Sequence, residues 1–178
     1  MKIEQDMTKT ALDGYIWRGA SMTGGGIHSS EDFWNWVLAD SNRVAALQAA
    51  VVERKELRRW ATSGDYWILS PTIGGAPTGL ADPSRWAAWQ LHDPEEDAGC
   101  VTVLRRPNAT NPSLSLGMRG LTPSSTYNVS WTGTGTAEEG GAANFRIARS
   151  QMMTGTKLAS LAVELEPSTS VVVRYAKV

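Results

Sequence analysis

Residues 113–132 read SLSLGMRGLTPSSTYNVSWT. Leu114, Leu116 and Met118 alternate with Ser115, Gly117 and Arg119. Tyr127, Val129 and Trp131 alternate with Asn128, Ser130 and Thr132. Side chains on a strand point to opposite faces with period two, so each run has one core face and one wetter face. Between the runs, Thr122-Pro123-Ser124-Ser125 carries a proline where a tight turn favours it. Two short strands joined by turn chemistry are the unit from which sandwiches and barrels are built.

The same pattern extends outward on both sides. Leu161, Val163 and Leu165 alternate with Ala162, Glu164 and Glu166, and Val171, Val173 and Tyr175 alternate with Val172 and Arg174. Strands are expected over 85–92, 99–106, 113–120, 126–132, 144–148, 157–166 and 170–177, with an acidic turn at Asp93-Pro94-Glu95-Glu96-Asp97. The expected fold is mainly β: an antiparallel Greek-key β-sandwich over 82–178, preceded by a helical extension and connector over 1–81.

The extension holds the clearest helix, over 43–60. Val44, Leu47, Ala50, Val51 and Leu57 fall on one face at spacings of three and four. Arg58 and Arg59 suit the negative end of the helix dipole and read as a solvated terminus. Upstream, Phe33, Trp34, Trp36, Val37 and Leu38 follow a Ser29-Ser30 helix start and are too apolar all round to stand uncovered. Tyr15, Ile16 and Trp17 suggest a short strand, and Gly24-Gly25-Gly26 breaks it. That glycine run lacks the Lys and hydroxyl that would make it a phosphate loop. Tyr66 to Leu69 reads as extended, and 71–83 as a Gly/Pro/Thr-rich connector packed on the surface.

Composition excludes several classes of function. The 178 residues carry a formal net charge of -1, so no general basic field awaits nucleic acid or an anionic membrane. The first residues are polar and show no secretory h-region, and no stretch is apolar enough to span a bilayer, which places the chain in the cytoplasm by default. One cysteine, Cys100, sits in an apolar strand and reads as a buried inert thiol. His28 and His92 are the only histidines, are not spaced as a metal pair, and read as polar surface. Neither a metal nor a cofactor is expected. A Gly-x-Ser-x-Gly nucleophile elbow is absent. Glycoside hydrolysis would need two carboxyls ~5–10 Å apart. Asp65, Asp82, Asp93, Glu95, Glu96, Asp97, Glu138 and Glu139 are available, but nothing in the sequence pairs any two of them, and 93–97 reads as a solvated turn.

Several segments in order resemble a known piece. They are Arg85-Trp86-Ala87-Ala88-Trp89-Gln90, Gly99-Cys100-Val101-Thr102-Val103-Leu104-Arg105-Arg106, Leu116-Gly117-Met118-Arg119-Gly120-Leu121-Thr122-Pro123, Met153-Thr154-Gly155-Thr156-Lys157-Leu158 and the final Val171-Val172-Val173-Arg174-Tyr175. Together they resemble the C-terminal β-sandwich of melibiase-type α-galactosidase-like glycoside hydrolases. Leu57-Arg58-Arg59-Trp60 and Gly64-Asp65-Tyr66-Trp67 resemble the end of the last barrel helix and the crossing into that sandwich. The resemblance implies a (β/α)₈ barrel of ~250 residues before the sandwich, with catalytic aspartates on its middle strands. Residues 1–81 hold no such barrel, and no residue here matches the family's nucleophile or acid/base.

The expectation is therefore a carbohydrate-associated, non-catalytic domain that binds or positions glycan, with no assignable catalytic residue. Its partners would be a glycan, a second copy of the chain, or the missing barrel. The eight tryptophans supply flat faces for sugar, and Trp67, Trp86 and Trp89 are the candidate contacts. The alternatives are burial of those indoles at the helix–sandwich junction, a small stand-alone hydrolase using an Asp/Glu pair, and a structural or oligomerisation module.

Overall fold

A computed structural model describes residues 31–70, 86–133, 147–167 and 169–178. The expected strand around Tyr15, the glycine run and the 71–83 connector lie outside these residues. The elements are helices α1 (Glu31–Leu38) and α2 (Ser41–Ser63), strands β1 (Asp65–Ile68), β2 (Trp86–Asp93), β3 (Ala98–Arg105), β4 (Ser113–Ser115), β5 (Thr126–Gly133) and β6 (Ile147–Thr154), helix α3 (Gly155–Ala159), and strands β7 (Ala162–Glu164) and β8 (Thr169–Lys177). No described helix is long and apolar enough to cross a membrane.

Six strands form one antiparallel sheet in the order β1-β2-β3-β8-β5-β6, and β4 pairs with β7 in a second layer. The last strand, β8, fills the gap between β3 and β5, which makes the path a Greek-key crossover rather than a meander. The mainly β sandwich is as expected. Its edge strand β1 comes from upstream of residue 82 and pairs Trp67 with Gln90 and Asp65 with His92.

Register sorts the side chains. Ala88, Val103 and Val171 line up on the inner face, with Tyr127, Val129, Val173 and Tyr175 beside them. Leu116, Met118 and Leu158 come from the second layer to fill the space between. Beyond β4, the N–H groups of Leu116 and Met118 donate to the carbonyls of Leu161 and Ala159, so the second layer continues past its short strands. Strand β5 keeps the expected alternation at its start, whereas β3 is buried almost throughout. A strand buried on both faces needs a cover on each side.

Helix α2 is the outer cover. Trp60 is 2 % exposed and packs with Cys100 and Val172, flanked by Leu57 and Leu91. Ala87, Trp89 and Leu104 form a second buried cluster on the same face. The face α2 turns inward runs through Ala50, Glu53, Leu57 and Trp60. Val51, expected on that face, is exposed instead. Two ion pairs tie this face of the helix to β8: Arg174 Nη2 lies 3.2 Å from Glu53 Oε2, and its Nε lies 2.9 Å from Glu56 Oε1. Arg174 Nη1 also donates to Thr132 Oγ1 at 2.9 Å, and that hydroxyl donates to Glu53 at 3.2 Å. Arg58 and Arg59 are exposed as expected, and the Arg59 guanidinium lies 4.2 Å from the Trp60 ring centroid.

The 157–166 segment departs from expectation. Its first part is the helical turn α3, and only Ala162–Glu164 is strand. Thr154 caps the turn, accepting from the Lys157 N–H, and Leu158 drops fully buried into the core. The strand expected over 144–148 begins at Ile147 and runs on to Thr154; its earlier part lies outside the described residues.

Glu53 is 8 % exposed and Glu56 is open to water, so the two ion pairs should not be equivalent. Arg174→Ala removes the guanidinium that pairs with the buried Glu53 carboxylate and should cost about 3 kcal/mol, whereas Glu56→Ala should cost under about 1 kcal/mol. Urea unfolding of the two variants, followed by circular dichroism, measures the difference.

Candidate functional site

The polar residues of the inner face gather at one end of the sandwich, where the β2–β3 turn, the 116–122 segment and the end of β8 meet. The turn is built locally. Asp93 Oδ1 accepts from the N–H groups of Glu95 and Glu96 at 2.9 and 3.2 Å, and Asp97 closes the turn with a left-handed φ of 46°. Asp and Asn tolerate that conformation better than most residues. It directs the Asp97 carboxylate inward, where Tyr127 Oη donates to it at 2.7 Å and Thr122 Oγ1 at 3.2 Å, and Lys177 Nζ sits at 3.3 Å. The Thr122 N–H in turn donates to Tyr127 Oη at 2.8 Å. Burial alone would raise the Asp97 pKa. The bonds from Tyr127, Lys177 and Thr122 together outweigh it and hold the carboxyl below its ordinary value.

Beneath this cluster lies a second one. Gln90 Nε2 donates to Tyr175 Oη at 2.7 Å and to the Arg119 carbonyl at 2.8 Å, while Gln90 Oε1 accepts the Arg119 N–H at 2.9 Å. Tyr175 Oη lies 3.1 Å from His92 Nδ1, and the two rings stack at 5.9 Å. Burial raises the Tyr175 pKa and lowers that of His92. Tyr127 meets Tyr175 edge to face at 6.2 Å. His92 is 2 % exposed, so it is not the surface residue expected. Nor is 93–97 merely a solvated turn, since Asp97 anchors three other segments. The sequence did hold a signal for this network. The inward register of β2 runs Trp86, Ala88, Gln90, His92, and two polar side chains at core positions require partners.

The candidate sugar contacts are not brought together. Trp86 is 5 % exposed on the inner face, with its Nε1 donating to the Asn111 carbonyl at 3.0 Å and the Arg105 guanidinium 5.8 Å from its ring. Trp89 is equally buried on the opposite face, beside Ala87 and Leu104. Trp67 is half-buried at the sheet edge, its ring 5.9 Å from His92. Trp67 shares a face with Trp86, but the four-residue offset along β2 separates them by ~13 Å. Of the three, Trp67 keeps the most accessible ring.

No protein-family model and no curated protein matches this chain. Solved structures do. The chain has the fold of a part of two α-galactosidases. One is the galactosidase domain of the α-galactosidase–sucrose kinase AgaSK, with a TM-score of 0.51 and 17 % identity over 78 % of this chain. The other is the GH36 α-galactosidase AgaA from Geobacillus stearothermophilus, in complex with raffinose, with a TM-score of 0.50 and 18 % identity over 78 % of this chain. The chain spans 16 % of the length of each. At such identity the shared property is the fold.

Asp97 is engaged by Tyr127, Thr122 and Lys177, and Glu53 and Glu56 are tied to Arg174. Asp65, Glu95 and Glu96 lie in water, while Asp82, Glu138 and Glu139 lie outside the described residues. The Cys100 thiol is buried and its pKa is pushed up to about 12, chiefly by desolvation, so it is inert as expected. Among the described residues, no three His, Cys, Asp or Glu side chains converge as a metal site.

Tyr127→Phe removes a donor from Asp97 and an acceptor from the Thr122 N–H. It should cost about 1–3 kcal/mol at neutral pH. Because the folded Asp97 pKa is depressed, its stabilisation is present above the ordinary carboxylate value of ~3.9 and is lost as pH falls through the folded value. Without Tyr127 that acid-dependent loss should shrink. Urea midpoints at neutral and acid pH compare the two proteins.

Proposed function

We propose that this chain is a carbohydrate-associated, non-catalytic part of an α-galactosidase-like glycoside hydrolase, a sandwich that packs against and steadies a sugar-cleaving partner. The observation that carries this reading is the fold shared with the two α-galactosidases over 78 % of the chain. The engagement of Asp97, Glu53 and Glu56 in structural bonds supports a supporting role over a catalytic one. A glycan contact, where there is one, is assigned to the half-buried face of Trp67. Sugar C–H faces stack on indole, and Trp86 and Trp89 have no comparable free surface.

A second reading is favoured by the helices. Trp34 is 45 % exposed, Leu38 68 % and Val52 66 %. Apolar side chains of this size on a helical hairpin suit an interface with another protein surface, whether the barrel of a glycosidase or a second copy of the chain. In that case the chain is a structural or oligomerisation module.

Calorimetric titration with galactose and raffinose, alongside a nitrophenyl α-galactoside turnover assay, tests the first reading. The expected result is weak binding that Trp67→Ala abolishes, with no turnover. Binding unchanged in Trp67→Ala removes that residue from the assignment. Turnover that disappears on a single Asp or Glu substitution overturns the non-catalytic reading. Sedimentation equilibrium at increasing concentration reports the second reading, which expects self-association of the isolated chain weakened by Leu38→Lys.

A further inference from the structure

We propose that His92 is an acid-sensitive latch: as a neutral imidazole protonated on Nε2 it holds the 117–122 segment against the inner face of the sheet, and taking up a second proton releases that segment. The hydrogen positions follow from counting donors. Gln90 pairs at two points with the Arg119 backbone, giving its Nε2 to the carbonyl and its Oε1 to the N–H. That pairing settles which end of the amide is nitrogen. The second Nε2 hydrogen goes to Tyr175 Oη. Having accepted there, the Tyr175 hydroxyl has its own hydrogen to give, and His92 Nδ1 is the acceptor at 3.1 Å. Nδ1 is therefore bare and the ring proton sits on Nε2.

The other edge of the ring is fitted to the segment it holds. A Cβ on Gly120 would come within 2.6 Å of His92 Cδ2 and 2.8 Å of Nε2, so only glycine lets backbone and imidazole approach this closely. Gly120 has a φ of 76° and Gly117 a φ of 57°, both left-handed and therefore suited to glycine. These two glycines bracket the stretch that carries Arg119. Leu116 and Met118 anchor its start to the second layer, and Thr122 anchors its end to Tyr127 and Asp97.

A second proton on His92 must enter at Nδ1. It then faces the hydroxyl hydrogen of Tyr175, and two hydrogens oppose each other on one bond. Tyr175 Oη can accept from Nδ1 beside the Gln90 N–H, but its own hydrogen then loses the acceptor it had. Turning the Gln90 amide over presents Oε1 to that hydrogen, and in doing so breaks both Gln90 bonds to the Arg119 backbone. The charged surroundings do not remove the conflict. Asp93 on the same strand, Asp65 opposite on β1 and Asp97 on the turn all favour the cation, but burial outweighs them and the His92 pKa lies below its ordinary value. Asp97 is itself engaged by Tyr127, Thr122 and Lys177. Tyr175 faces the ring from β8 as a neutral phenol with Tyr127 edge-on behind it, and Arg119 and Lys177 add positive charge at the same end. A lowered histidine pKa gives stability that is whole above the unfolded value of ~6.5 and is lost as pH falls through the folded value.

Nitrogen-15 NMR of the imidazole, with amide hydrogen exchange corrected for intrinsic rates, tests the latch. At about pH 7.5 the expected spectrum is that of the Nε2–H tautomer. Below the folded-state pKa, protection of the Arg119 amide should fall about tenfold per pH unit while the Val129 amide in the core holds. His92→Asn keeps an acceptor near the Nδ1 position and cannot titrate, so its Arg119 protection should stay flat. An Nδ1–H or charged ring at about pH 7.5, or equal pH dependence in both proteins, overturns the proposal. If His92→Asn does not fold, the wild-type data decide alone. Arg119 protection that follows the imidazole titration while Val129 holds supports the latch, and joint loss of both amides contradicts it.

Discussion

The contact of Trp60 with Cys100 and Val172 is the constraint on which the sheet depends. Strands β3 and β8 are buried on both faces over most of their length, so each face needs a cover. The second layer dries one face and α2 dries the other. Burying an indole removes ~150–250 Å² from water, about 4–6 kcal/mol at ~25 cal/mol per Å² as an upper figure. The exposed Arg174–Glu56 pair contributes well under that. Hydrophobic cover therefore supplies the strength. The Glu53–Arg174–Thr132 ring sets the angle at which the helix lies, because a buried carboxylate tolerates only one arrangement of its donors.

The same reasoning explains which parts of the fold were legible in the sequence. Strands β2, β3, β5 and β8 announce themselves by apolar runs between turn residues, and their bounds are close to those expected. The 157–166 segment misleads because Leu161, Val163 and Leu165 alternate convincingly, while the decisive contact is local: the Thr154 cap coils the chain before the alternation begins. Helix α2 is legible in extent and misleading in orientation. Val51 fits the apolar stripe, but the choice of face is made by Arg174, more than a hundred residues away. Partners at that separation leave no trace in a periodicity.

The site was less legible than the fold. Abundant tryptophan suggested a sugar platform, yet the structure spends Trp86 and Trp89 on opposite faces of one sheet and leaves Trp67 alone at the edge. His92 and Asp97 belong to the hydrogen-bonded networks at one end of the sandwich, and both look like surface residues when read singly. They are conspicuous only once register places Gln90 and His92 on the inner face. Among the described residues, these polar side chains bond to one another and to the sandwich backbone.

Closed by Trp60, α2 and the sandwich should unfold as one unit. Urea unfolding monitored in parallel by far-ultraviolet circular dichroism, for the helix, and by near-ultraviolet signals of the core aromatics tests it directly. The two transitions should coincide, and Trp60→Ala should move them together to lower urea. A helix signal lost well before an intact core signal in the wild-type protein would contradict it.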